Sequence, residues 1–327
     1  MKIVGGPSSM ELAHKISQTL NFLLVSTRTK RFPDGEFYFK FEEEIAGEDL
    51  VLVQSLYPPQ DEHLLELFLM VHTAKDLGAK SITIFAPYLA YSRQDERYLS
   101  GEAISSLMVA DVLEELGAGA LYTVDIHNEK VLKGYKIPAF NLTASGELAK
   151  YFAMKDLRDP VVVAPDDEEA AIARVKNGAD AINAGYDYFK KERDRHTGEI
   201  VTFEKKMNIK GRDVIIVDDI ISTGKTTANA VKALKTQGAR RVFVGVTHIL
   251  PLGKALDLIK ESGTDEVVGT DSTPSEVAKV SVAPIFSKAL KGNMKVVPRL
   301  DKLAGVDADF GKVEEVKREI EKLRGEY

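Results

Sequence analysis

The sequence predicts an α/β protein made of two similar parts, each a mostly parallel sheet flanked by helices, and three observations carry that prediction. Val- and Ile-rich runs recur at Leu50–Val53, Ile82–Phe85, Leu121–Val124, Val161–Ala164, Val214–Val217 and Val242–Val246. They lack polar alternation, so both faces are buried, as in parallel strands covered by helices on either side. Helix-period segments lie between them at Glu62–Leu77, Gly101–Leu116 and Thr226–Gln237, each followed by a helix-stopping glycine at Gly78, Gly117 or Gly238. Finally, the block that starts Asp49-Leu-Val-Leu-Val and closes Leu77-Gly-Ala-Lys-Ser-Ile is echoed by Asp213-Val-Ile-Ile-Val and Gln237-Gly-Ala-Arg-Arg-Val. A duplicated βα unit accounts for the echo.

The order of these elements places the domains. We expect a boundary near Asn141 to Tyr151, with an N-terminal domain over 1–145 completed by about 278–327, and a C-terminal domain over 146–277. The tail from Asp309 to Tyr327 reads as a charged amphipathic helix for packing or oligomer contact.

Composition narrows the function. A chain of 327 residues that is 44% hydrophobic can build packed cores, and its length fits two domains. The net charge of −6 lacks the basic excess that drives non-specific nucleic-acid binding, so duplex DNA is not an expected partner. With no cysteine, disulfides, Fe–S clusters, thiolate zinc sites and thiol nucleophiles are excluded. The start, Met1 to Leu12, has a hydrophobic run too short for a signal segment, and the later run Leu64–Val71 is interrupted by Glu66. We expect a cytoplasmic protein without membrane contact.

The richest stretch runs from Val214 through Asp218, Asp219, Ser222, Thr223, Gly224, Lys225, Thr226 and Thr227. A buried strand delivers two carboxylates to its C-terminal end, where open α/β sheets bind ligands. The turn then opens a helix whose first N–H groups are unpaired and attract an anion such as phosphate. A P-loop would need an earlier glycine, but Asp219 and Ile220 occupy that arc. Two carboxylates about 4 Å apart repel by about 4 kcal/mol at an effective dielectric of about 20, so hydroxyl donors or a magnesium ion must share them. A phosphorylated ribose supplies an anion for the turn and hydroxyls for the acids.

Other constellations are weaker alone. Arg31-Phe32-Pro-Asp34-Gly-Glu36 is a turn before the strand Phe37–Phe41, with Pro fixing φ and Gly accepting positive φ. Arg93-Gln94-Asp95, just past the strand ending at Phe85, could meet polyphosphate. Asp125 and His127, if both lie on a strand, share one face and project together at its end. Pro165-Asp166 puts another acid at a strand end, and Phe189 to Arg195 is a charged run.

Taken together, the Asp218 to Thr227 stretch resembles the phosphoribosyl diphosphate (PRPP) loop of type I phosphoribosyltransferases and of ribose-phosphate diphosphokinases. The remaining motifs follow in the order of the diphosphokinases, from about residue 1 to 290, and are most similar to their archaeal-type branch. The resemblance implies two type I phosphoribosyltransferase-like domains and synthesis of PRPP from ATP and ribose 5-phosphate with Mg2+. It implies that Phe32 stacks on the adenine of ATP in a neighbouring subunit, with Asp34 and Glu36 accepting from its amino group, so a homo-oligomer, at least a dimer, is expected. It also implies ATP contacts at Arg93, Gln94, Asp95 and His127. Ribose 5-phosphate contacts are implied at Asp166, Asp218, Asp219 and Ser222 to Thr227, metal contacts at His127 and Asp166, and catalytic cations at Lys191 and Arg193. Two departures stand out: Asp167, Glu168 and Glu169 follow Asp166 where the family usually has a glycine, and Lys225 replaces a second turn glycine. Two alternatives are a catalytically weak regulatory paralogue and a phosphoribosyltransferase that consumes PRPP.

Overall fold

The computed structural model describes residues 1–193, 200–203, 205–250 and 253–293, with backbone alone for 191–193 and 200–203. The helix expected over Asp309 to Tyr327 lies outside the described residues. The described chain divides into two compact units, one holding Met1–Leu142 and Ala283–Asn293, the other Thr143–Val282.

In the first unit the order is β1 (Lys2–Gly5), α1 (Met10–Leu20), β2 (Leu23–Val25), a hairpin of β3 (Thr27–Arg31) and β4 (Phe37–Phe41), then β5 (Asp49–Val53). There follow α2 (Gln60–Asp76), β6 (Ser81–Phe85), α3 (Ser105–Glu115), β7 (Ala120–Val124), a 3-10 turn at Glu129–Gly134 and β8 (Ala139–Leu142). The sheet order is β2-β1-β5-β6-β7-β8, with every pair parallel. All five residues of β6 and of β7 are buried, which is why these runs carry no polar alternation.

The second unit contains α4 (Ser145–Ala153), β9 (Val161–Ala164), α5 (Glu169–Ala181), β10 (Gly185–Tyr188), a hairpin of β11 (Lys190–Arg193) and β12 (Ile200–Phe203), and β13 (Asp213–Ile221). It continues with α6 (Lys225–Thr236), β14 (Arg241–Ile249), α7 (Ala255–Glu261), β15 (Glu266–Thr270) and β16 (Ala278–Val280), and α8 (Ala283–Asn293) then belongs to the first unit. Its parallel sheet has the order β10-β9-β13-β14-β15-β16. The two orders are equivalent position by position. Each unit also inserts an antiparallel hairpin between its edge strand and its next central strand.

Helix ends follow the glycines: Gly78, Gly117 and Gly238 take φ of 78°, 106° and 89°, a conformation that costs L-residues with a Cβ. Two boundaries differ from the sequence pattern. The third helix starts at Ser105 rather than Gly101, because the Glu102 carboxylate accepts from the backbone N–H groups of Tyr98 (2.9 Å) and Leu99 (2.8 Å) and holds them in a loop. The strand at Val214 continues to Ile221, because β14 pairs with it over its whole length, up to Ile221 opposite Ile249. The second core joins Val163, Ile216 and Val244 of the sheet to Val231, Leu234 and Ile259 of α6 and α7. In the first, Phe286 of α8 stacks on Phe85, with ring centroids 4.1 Å apart, and meets Tyr122 edge-on.

Candidate functional site

The second unit builds a carboxylate pocket at the C-terminal end of its central strand. Neighbouring β9 pairs with β13 only over Val214–Ile216, so Asp218 and Asp219 lie beyond its reach, where Asp166 follows the end of β9. All three acids are buried, at 9%, 6% and 7% exposure. The counter-ion of Asp218 and Asp219 is Arg174 of α5, 8% exposed, whose Nη2 stands 3.4 Å from Asp219 Oδ1 and 3.9 Å from Asp218 Oδ1. Burial pushes the Asp218 carboxyl well above its ordinary range, the neighbouring Asp219 charge adds to this, and Arg174 opposes it. Asp218 and Asp219 also accept from the backbone N–H of the following residue, both at 2.9 Å.

The hydroxyl turn follows directly. Gly224 caps α6 with φ 75°, and a Cβ there would stand 2.8 Å from the Ala255 carbonyl oxygen, so this position requires glycine. Lys225 is the first helical residue, exposed and with no positive φ, so no conformational demand for a second glycine exists there. Thr223 and Thr226 are exposed, Ser222 is partly buried and Thr227 is buried. Thr223 also lines a cleft of about 420 Å³ with Lys254, Ala255, Asp257, Leu258 and Glu261. The acidic run after Asp166 has an ordinary explanation: Glu168 caps α5 and Glu169 begins it, where negative charge complements the helix dipole. Lys191 and Arg193 lie on the backbone of β11, opposite Thr202 and Ile200 of β12, and their side chains lie outside the described residues.

In the first unit the structure joins two of the sequence motifs and corrects one. Asn128 donates from Nδ2 to Asp95 at 2.5 Å, while its Oδ1 accepts from Lys130 N at 3.0 Å, so the Arg93-Gln94-Asp95 loop is tied to the loop bearing His127. Gln94 donates to Glu96 O at 3.2 Å and to Glu102 at 3.4 Å, and Arg93 is exposed. Asp125 and His127 do not share a strand face. The strand ends at Val124, Asp125 turns into φ 39° and is buried, and His127 is exposed, so the period of two does not relate them. The hairpin is confirmed, with Arg31 opposite Phe37 and Gly35 at φ 98°. Phe32, Asp34 and Glu36 are exposed on its turn.

Sequence reasoning missed Arg174, Asn128 and Glu102. A basic residue inside the amphipathic helix pattern was the available signal for Arg174; Glu102 makes a short-range loop contact and Asn128 one that spans two loops, neither with a periodic signature.

The donors can be tested against a metal. Among the described residues no group of three or more His, Asp or Glu side chains is arranged to hold an ion by itself. Asp218 and Asp219 share one arginine, the Asp166 charge acts on Asp218, and Mg2+ commonly takes one or two carboxylates and completes its shell with water and phosphate oxygens. The residues fit an ion of that kind.

Two equivalent parallel α/β units, one with a glycine-capped hydroxyl turn beyond a buried carboxylate pair, define an α/β protein whose second unit offers a place for an anionic ligand at the C-terminal end of its sheet. Residues 1–117 match the family model described as the N-terminal domain of ribose phosphate pyrophosphokinase, and 202–290 match the phosphoribosyl synthetase-associated domain. The chain is 38% identical over 286 residues to the ribose-phosphate pyrophosphokinase of Sulfurisphaera tokodaii, covering 87% of this chain and 97% of that one. It is 40% identical over 273 residues to that of Saccharolobus solfataricus, covering 83% and 93%. The phosphoribosylpyrophosphate synthetase structure from Mycobacterium smegmatis superposes with a TM-score of 0.78 at 28% identity, covering 90% of this chain and 98% of that one. The chain belongs to the ribose-phosphate pyrophosphokinase family. Among the described residues no helix is long and apolar enough to cross a membrane.

Proposed function

We propose that this chain transfers the diphosphoryl group of ATP to the anomeric hydroxyl of ribose 5-phosphate, giving PRPP and AMP. The observation that carries the reading is the Ser222 to Thr227 turn beside the Asp218–Asp219 pair, in a chain that matches pyrophosphokinases along most of its length. The anomeric hydroxyl oxygen forms a bond to the β-phosphorus and gives up its proton to solvent, the bond from that phosphorus to the α,β-bridging oxygen breaks, and AMP leaves with the electron pair. Such transfer depends on positioning and charge neutralisation more than on covalent catalysis.

In this reading the turn's N–H and hydroxyl groups hold the 5-phosphate, and Asp218 and Asp219 accept from the ribose hydroxyls. Arg174 keeps those acids from repelling each other. Arg93, Gln94, Asp95 and His127 hold the ATP polyphosphate, and Lys191 and Arg193 neutralise charge on the group in flight. His127 in the first unit and Asp166 in the second are each residues that would hold a Mg2+ ion, which when bound supplies neutralisation of the polyphosphate charge. The exposed turn of Phe32, Asp34 and Glu36 fits a role toward the adenine of ATP in a neighbouring copy, so the reading includes a homo-oligomer of at least two chains.

The test is incubation with ATP, Mg2+ and ribose 5-phosphate, following AMP and PRPP. The expected outcome is equal amounts of both. Turnover of a different phosphosugar would retain the reaction and replace the substrate. ATP binding without turnover of any phosphosugar would favour a catalytically weak regulatory role instead.

A further inference from the structure

The hairpin β3–β4 forms a two-stranded sheet separate from the six-stranded one, and an isolated pair of strands is marginally stable in water. Arg31, at the end of β3, supplies an anchorage. Its guanidinium donates from Nη1 to the Gly35 carbonyl in the turn at 3.2 Å, and from Nη2 to Glu62 at 2.5 Å and Glu66 at 3.2 Å, both on α2. Glu66 is 4% exposed, and its second oxygen accepts from Gln54 Nε2 at 2.9 Å. Gln54, fully buried just past β5, accepts from Ser8 N at 3.2 Å, and Gly6 lies so close that a Cβ there would meet Gln54 Oε1 at 2.1 Å. A continuous polar relay therefore runs from the C-terminal ends of β1 and β5, through Gln54, Glu66 and Arg31, to the hairpin turn.

Burying a carboxylate is unfavourable unless partners compensate it. Burial raises the Glu66 carboxyl above its ordinary range, against the opposing pulls of His63, Gln54 and Arg31. None of Gln54, Glu62, Glu66 or Arg31 belongs to the substrate-contacting set assigned above.

We propose that Glu66 and Arg31 are positioning residues that fix the hairpin turn to the sheet of its own unit, so that Asp34 and Glu36 meet a purine base in one geometry. This rests on the reading that the turn contacts adenine. Without the tie the turn samples many orientations, and a base bound by two short acceptors loses affinity and selectivity.

The experiment uses the full chain with Arg31→Ala, Arg31→Lys and Glu66→Gln. Arg31 is 45% exposed at its side chain, so its variants keep the core intact, and Glu66→Gln retains the side-chain volume. Two measurements are made: hydrogen exchange of the 27–41 amides without ligand, and steady-state kinetics with ATP and GTP. In Arg31→Ala the hairpin amides exchange about ten-fold faster, and KM for ATP rises about ten-fold, equivalent to one decade of affinity. The preference for ATP over GTP narrows, while kcat and KM for ribose 5-phosphate stay near wild type. Arg31→Lys recovers only part of the effect, because an ammonium cannot serve Gly35 and the two carboxylates with a planar fork. Unchanged hairpin exchange in Arg31→Ala and Glu66→Gln overturns the inference. Faster exchange with an unchanged KM for ATP upholds the tie and removes the adenine role from the turn.

Discussion

Arg174 Nη2 and Asp219 Oδ1 stand 3.4 Å apart inside the second unit, and this contact joins a helix to the carboxylate pair of the central strand. Breaking a buried pair by removing one member leaves the other charge uncompensated. Arg174→Met is therefore expected to destabilise the protein by about 3 kcal/mol near neutral pH. The raised Asp218 favours the folded state fully below its unfolded value near 3.8 and loses that contribution as pH rises through its folded value. The variant's deficit, measured by urea unfolding, should thus be smaller at pH 5 than at pH 8. Its KM for ribose 5-phosphate should rise as well.

Gly224 and Lys225 should respond in opposite ways. Gly224→Ala puts a Cβ against the Ala255 carbonyl in a left-handed conformation, at a conformational cost of about 1 to 2 kcal/mol before any clash. We expect ribose 5-phosphate binding to fall by at least about ten-fold, as read by calorimetry. Lys225→Gly should retain binding and lose no more than about 1 kcal/mol of helix stability.

Asn128→Ala removes the contact between the Asp95 loop and the loop bearing His127. One charge-assisted hydrogen bond is worth about 1.5 to 3 kcal/mol, so KM for ATP should rise by about ten-fold or more. KM for ribose 5-phosphate should stay near wild type, and an equal rise in both would refute a local role.

Asp213 is fully buried at the opposite end of β13, where burial opposes ionisation but hydrogen bonds from Arg241, Arg240 and Arg158 N outweigh it and hold its pKa at about 2, from 3.8. A depressed carboxyl stabilises above its unfolded value, and that contribution, roughly 2 kcal/mol, is lost as pH falls from about 4 toward 2. Asp213→Asn should flatten the acid limb of the stability profile measured between pH 5 and 2.

Much of the fold was legible because parallel strands buried on both faces read as unbroken apolar runs, and because Gly78, Gly117 and Gly238 end their helices with the positive φ that glycine tolerates. The hairpin at Pro33-Asp34-Gly35 was legible for the same local reason. The frame of Asp125 and His127 was not. A period of two holds only while the strand continues, and the left-handed turn at Asp125 ends it.

By itself, then, the amino-acid sequence determined the α/β class, the duplicated order and the turn at Ser222 to Thr227, since each depends on neighbours along the chain. The tertiary structure alone decided which base answers the buried acids, how far β13 runs, and which loop holds Asp95. Arg174, β14 and Asn128 supply those answers, and each is remote in sequence from the group it serves. Parallel crossovers bring such partners together, and local periodicity carries no information about which residues a crossover will pair.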